Sequence, residues 1–194
     1  MTVRRAWLAA AIALAGAVAG SLLAWALFVG LPRWYAARQA VPIDPTSVDV
    51  PVEPERKIKA RLFYVADDGR GLKSEERDVP YGADVVAQAR AIIQAQLAPV
   101  AEPLVSAIPT GTMLRAVFVT GSAAYVDLSG EVATAHPGGS LDEQLTTYSI
   151  VNALTANLPA VTAVQILVDG KEVDTLAGHV DLRQPLTAMP EWVR

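Results

Sequence analysis

The sequence predicts an α/β domain of the α+β type, in the order ββα, ββα, ββ, with one mixed sheet and two helices packed on one face, preceded by one transmembrane helix. Three observations carry this. Residues 7–29 contain no charged side chain. Two later stretches, 83–99 and 141–158, repeat apolar residues about every 3.6 positions, as amphipathic helices do. Each of those stretches follows a pair of β-rich runs, and a third pair follows the second helix, turning at Asp169-Gly170.

The uncharged run comes first. At about 1.5 Å per residue it spans roughly 34 Å as a helix, enough to cross a hydrocarbon core of about 30 Å. Arg4 and Arg5 precede it, Arg33 and Arg38 follow, and Trp7, Trp25, Trp34 and Tyr35 sit near its ends as interfacial rings do. A cleaved signal peptide has a shorter apolar region of about 7–15 residues. An uncleaved anchor over 1–32 is therefore expected, although "AWA" at 24–26 has the small-x-small pattern of a cleavage site. The short N-terminal tail places the N-terminus inside and the bulk of the chain outside. Residues 33–57 carry Pro42, Pro45, Pro51 and Pro54 and no apolar period. They read as an extended, stiff linker near polyproline II.

A folded domain is expected over 58–186, followed by a C-terminal tail, 187–194. "IKARLFYVA" alternates at its start, as a half-buried strand does. "DDGRGLKSEE" reads as a polar turn, and "ERDVP" as a short second strand. In the first helix Val85, Val86, Ala89, Ile92, Ile93 and Leu97 share a face, and Pro99 ends the element. After an irregular connector, 113–120 and 123–128 form a hairpin around Gly121. The last hairpin uses Asp169-Gly170, a pair suited to the positive φ angles of a type I′ turn.

Charge and composition exclude some functions. Residues 58–194 hold ten Lys or Arg against sixteen Asp or Glu, and an acidic domain is repelled by phosphate backbones. No nucleic-acid partner is expected. The chain has no Cys, which closes the routes to disulfides, thiolate metal sites and a lipid-modified N-terminal Cys.

The segment "HPGGSLDEQ" is the one place where chemistry-bearing residues crowd together. Its helix-entry loop, His136, Pro137, Gly138 and Gly139, leads to Ser140 and Glu143 in S-x-x-E spacing. That spacing predicts a capping box, with Ser140 accepting from the Glu143 N–H and Glu143 reaching back to the Ser140 N–H. Asp142 places negative charge at the positive end of the helix dipole. Leu141, Leu145, Tyr148, Val151, Leu154 and Leu158 form the inward stripe. The competing readings are a Ser–His–Asp set from Ser129 or Ser140, His136 and Asp127, or a metal site from His136, His179 and Asp181. Neither has a supporting motif: there is no G-x-S-x-G elbow and no repeated ligand spacing. No catalytic, metal or cofactor residue is assigned. Asp127 is expected to bond loop backbone and Asn152 to be a buried hydrogen-bonding residue. Asp127, Tyr148 and Asn152 are also the candidates for a partner surface.

The stretches "LRAVFVTGSAAYVDLSGE" and "HPGGSLDEQLTTYSIVNALTANLPAVTAVQILVDGKEVDTLAGHVDLRQPL" resemble the GerMN domain family over about 58–186. The resemblance rests on the Y-V-D-L-S strand, the H-P-G-G-S helix entry, Y-S-I-V-N-x-L-T and V-Q-I-L-V-D-G, in that order. It implies a fold similar to ring-building motifs and an extracytoplasmic domain held at a membrane by lipid or helix. It also implies links to spore formation or germination in some bacteria, and no catalytic residue set. This chain departs from lipoprotein members in lacking Cys, and from some members in having one such unit rather than two.

The expected function is that of a non-enzymatic, membrane-anchored, extracytoplasmic interaction or assembly module of the bacterial cell envelope. Its location is the inner (cytoplasmic) membrane, single-pass, with the C-terminal domain in the periplasm or extracytoplasmic space. Its partners are the membrane and envelope proteins, self-association included; nothing in the sequence calls for a small-molecule ligand. The alternative is a periplasmic small-ligand or peptidoglycan-binding domain, or a cell-wall enzyme, using the loop around His136.

Overall fold

The computed structural model describes residues 56–194 and Trp25. The anchor expected over 1–32 and nearly all of the linker over 33–57 lie outside the described residues. Among the described residues no helix is long and apolar enough to cross a membrane.

The elements run β1 (Lys57–Val65), β2 (Leu72–Pro80), α1 (Val85–Leu97), β3 (Leu114–Thr120), β4 (Ala123–Leu128), a short α2 (Glu131–Thr134), α3 (Ser140–Asn157), β5 (Ala163–Val168), β6 (Lys171–Glu172), β7 (Leu186–Thr187) and a 3₁₀ turn (Pro190–Trp192). The ββα, ββα, ββ order holds, with α2 and β7 added. The polar turn is shorter than the sequence suggested: β2 starts at Leu72 and pairs antiparallel with β1 along nine residues, from Lys57↔Pro80 to Val65↔Leu72. At the Asp169-Gly170 turn φ is 50° and 77°, as a type I′ turn requires.

The single mixed sheet is corrected to two. β1 and β2 form one sheet; β3, β4, β5 and β6 follow in order in the other, with β7 also on β5. β4 and β5 are parallel, because α3 carries the chain back between them as a crossover.

Side-chain amides supply the reason β1 gains no second neighbour strand. The Phe63 N–H donates to Gln96 Oε1 (2.9 Å), and Gln96 Nε2 donates to the Phe63 carbonyl (2.6 Å). Two residues earlier the Arg61 N–H donates to Asn157 Oδ1 (2.8 Å), and Asn157 Nδ2 donates to the Arg61 carbonyl (2.7 Å). The Val65 N–H donates to the Val105 carbonyl. A carboxamide offers the same donor–acceptor pair as a peptide group. Gln96 from α1 and Asn157 from α3 thus stand where a strand would, and the exposed-edge problem of β1 is solved by helices.

The expectation of two helices on one face of a sheet fails for the same reason. α3 packs against β1, α1 and β5, and residues 145–154 are all buried. It is a central helix rather than an amphipathic cover, so the predicted stripe marks only part of its buried surface. The core joins Leu62, Tyr64 and Val79 of the hairpin to Ile92 and Ile93 of α1, Ile150 and Leu154 of α3, and Val126 and Ile166 of the second sheet.

Residues 187–194, expected as a tail, belong to the folded unit. β7 pairs with β5, Val193 bridges Leu72, and the Arg194 N–H donates to the Leu72 carbonyl. This segment therefore straps one sheet to the other.

Gln96→Leu keeps side-chain size but leaves both Phe63 backbone groups without partners. We expect it to lower unfolding free energy by about 1–3 kcal/mol, read from urea midpoints; an unchanged midpoint would show that the amide pairing contributes nothing.

Candidate functional site

The Gly-rich loop is built from its backbone upward. Gly138 and Gly139 have φ of 87° and 89°, a region that side chains rarely enter. They swing the chain into α3 so that Gly139 is the N-cap, with no side-chain cap bond. The predicted capping box is thus corrected. Ser140 is already the first helical residue and is exposed, and the Glu143 N–H donates to the Gly139 carbonyl.

Glu143 is occupied elsewhere. Its side chain is fully buried. Oε1 accepts from the N–H groups of Leu176 (2.7 Å) and Ala177 (2.9 Å), and Oε2 from the N–H of His179 (2.8 Å), with the His179 Nδ1 at 3.2 Å. The carboxylate therefore latches the excursion between β6 and β7 onto the start of α3. Burial alone pushes its pKa up and is the largest single influence; the backbone donors of Ala177, His179, Leu176 and Val180 together outweigh it and hold the group below its ordinary value of 4.5.

His136 closes the loop on the other side. Its Nδ1 accepts from the Gly138 N–H at 3.0 Å, so Nδ1 carries no proton. The remaining ring nitrogen, Nε2, is then the donor to Thr146 Oγ1 at 3.1 Å. The Thr146 hydroxyl in turn donates to the Ala107 carbonyl at 2.6 Å. This relay ties the helix entry to the connector before β3 and uses both imidazole nitrogens.

The Ser–His–Asp candidates are not brought together as a set. Ser129 Oγ accepts from the Met113 N–H at 2.9 Å. Asp127 accepts from the Gly170 N–H at 2.7 Å and from Arg115 Nε at 3.2 Å, fastening the type I′ turn to the end of β4. The metal candidates are dispersed too. His136 bonds Thr146, His179 bonds Glu143, and Asp181 is clasped by Arg183, whose side chain and N–H hold the Asp181 carboxyl at about 2. No group of three or more His, Asp or Glu suited to a metal occurs among the described residues.

The partner-surface candidates point inward. Asp127, Tyr148 and Asn152 are 6%, 8% and 3% exposed. Burial, with Glu191 nearby, raises the Tyr148 pKa. Asn152 Oδ1 accepts from the Met189 N–H at 3.1 Å. The loop and the connector do flank a cavity of about 300 Å³, lined by Val105, Ser106, Ala107, Pro137, Asp142 and Leu145 among others. His136 is not on its wall. Sequence reasoning missed Gln96 and Asn157. Gln96 lies three residues past Ile93 on the apolar stripe of α1, and a polar residue in that position was the available signal.

Residues 61–174 match a family model described as "Germane: Sporulation and spore germination". The chain belongs to that family. The Germane match starts inside β1 and runs through the β5–β6 turn, so it takes in Glu143, His136 and the amide pairs. Among solved structures, the tandem GerMN domains of the sporulation protein GerM from Bacillus subtilis share the fold at a TM-score of 0.53 with 15% identity, over 68% of this chain and 46% of that one. The first GerMN domain of the same protein gives a TM-score of 0.49 with 16% identity, over 67% of this chain and 97% of that one. A candidate lipoprotein from Clostridium perfringens gives 0.49 with 24% identity, over 68% and 87%. No curated protein matches the chain.

Two substitutions separate the latch from the cap. Ser140→Ala should leave stability within about 0.5 kcal/mol, as exposed changes do. Glu143→Gln should cost about 1–3 kcal/mol, because one acceptor oxygen becomes a donor facing N–H groups. The pH signature has a fixed sign. The folded pKa of Glu143 is depressed, so its contribution is full above the ordinary value of 4.5 and is lost as pH falls through the folded value. Thermal melts from pH 7 to pH 3 should show a steeper acid loss in the parent than in Glu143→Gln; parallel curves would refute the latch.

Proposed function

We propose that this Germane domain is a non-enzymatic protein-interaction module of the cell envelope. In this reading a single N-terminal span holds it at the cytoplasmic membrane, and the acidic domain stands on the extracytoplasmic side. The length of the uncharged run at 7–29 supports the anchor. The association surface is the β3 edge.

One observation carries the surface: β3 is an edge strand, paired with β4 alone, and it bears Phe118 at 57% exposure, with Met113, at 63%, just before the strand begins. Phe118 lies opposite Tyr125 of β4, so the apolar area continues onto the next strand. Sheet edges are usually blunted by charge, bulges or cover. β2, another strand with an open side, carries the acidic residues Glu75, Glu76 and Asp78, all exposed. β3 has its irregularity at Leu114/Ala116, at one end, and an aromatic ring in the part beyond it. A sheet edge with exposed apolar side chains beyond its bulge is the arrangement that strand-to-strand association uses.

Phe118→Glu in the detergent-solubilised full chain should abolish association seen by light scattering and by crosslinking in native membranes. Stability should stay within about 0.5 kcal/mol, since the ring is exposed. Undiminished crosslinking of the variant would rule out this edge.

A further inference from the structure

The strap formed by residues 186–194 does more than join the sheets: it roofs a cavity of about 210 Å³ lined by Arg61 and Phe63 of β1, Asn152 of α3, and Ala188, Pro190 and Val193 of the strap, among others. At ~30 Å³ per water-sized unit this takes a ligand of about seven non-hydrogen atoms. Most of the wall is hydrocarbon. The polar groups on it are unusual in kind.

Asn152 is 3% exposed. Its Oδ1 accepts from the Met189 N–H, which fixes the carboxamide orientation and makes the other end the donor. That donor, Nδ2, is shielded from solvent and has no acceptor. A buried unpaired N–H is costly, and native interiors carry few of them. Arg61 adds a cation. Both of its backbone groups are held by Asn157, which fixes the pivot of its side chain at the cavity, and its guanidinium is in none of the ion pairs of the described residues. No carboxylate lines the cavity. Glu191, on the same 3₁₀ turn, is not among the residues on its wall.

An apolar hollow with a cation on its wall and no acid has the chemistry of a receptor for a small carboxylate with a hydrocarbon body. We infer that the cavity between β1, α3 and the C-terminal strap binds such a carboxylate, Arg61 pairing with its charge and Phe63, Pro190 and Val193 enclosing the apolar part. Two sources present this chemistry: a free short-chain carboxylic acid and the C-terminal residue of a peptide. The site lies on other elements than the β3 edge, so it stands or falls independently of the association reading.

The experiment titrates the solubilised full chain with isovalerate, with its neutral isostere isovaleramide, and with acetyl-Gly-Val bearing a free or an amidated C-terminus. Binding is read by calorimetry and by the Asn152 side-chain amide resonance. The acids should bind at least tenfold more tightly than the amides and should shift the Asn152 signal. Arg61→Gln, an exposed change that keeps the backbone bonds to Asn157, should weaken the acids at least tenfold and leave the amides unmoved. Preference for the peptide acid assigns a chain terminus as ligand, and preference for isovalerate assigns a free acid. Equal binding of acids and amides, no binding of either up to millimolar concentration, or acid binding indifferent to Arg61→Gln would each overturn the proposal and leave the cavity a hydration site.

Discussion

The carboxylate of Glu143 is the constraint from which much of this fold follows. A charged group with no exposure is tolerated only where donors surround it, and here the donors are backbone N–H groups of a single excursion, Leu176, Ala177 and His179. The arrangement works in both directions. The excursion has little regular structure of its own to satisfy its amides, and the helix start has a charge that needs them. Fixing Leu176–His179 against α3 brings Leu182 to where Gln165 Nε2 donates to its carbonyl. It also returns the chain to β5 as β7. From there the strap reaches the first sheet.

The amide pairs on β1 are the second organising device, and they are of the same kind. Gln96 and Asn157 each hold both the N–H and the carbonyl of one β1 residue. A strand in that place would have merged the two sheets and left α3 on an outer face. The side-chain version lets helices close the edge, so α3 is enclosed between the hairpin and the second sheet. This explains why so many polar residues of α3 are buried. Thr146, Ser149 and Asn152 each bond a backbone group, the carbonyls of Ala107 and Thr146 and the N–H of Met189.

Local periodicity made most elements readable. The strands, α1, the β3–β4 turn and the Asp169-Gly170 turn follow from alternation, the 3.6-residue repeat and turn chemistry, which act within a few residues. What escaped reading acts over long separations. S-x-x-E at Ser140 and Glu143 is a capping pattern, and nothing near it in sequence shows that the Glu is claimed by N–H groups more than thirty residues later. The same holds for Asn157, whose partner lies 96 residues earlier, and for the split into two sheets that this pairing produces. The Asp127 bond to the Gly170 N–H could be anticipated in kind, as a side chain bonding loop backbone, but its partner could not be named. Tyr148 and Asn152 are both buried, because α3 has almost no solvent face at its centre.

This pattern bears on where function resides. Almost every polar side chain that sequence reading would nominate for chemistry is already bonded within the fold: both nitrogens of His136, the carboxylates of Glu143, Asp127 and Asp181, and the hydroxyl of Ser129. A group held by two or three internal bonds must break them before it can bind or transfer a proton, and each such bond is worth about 0.5–1.5 kcal/mol net. Among the described residues, the apolar β3 edge around Phe118 and the Arg61 guanidinium carry no such cost. They differ in type from the loop residues: the first offers area and open backbone, the second unpaired hydrogen-bond donors. The two free resources thus suit recognition of another molecule, and the frame of internally bonded polar groups holds them in place.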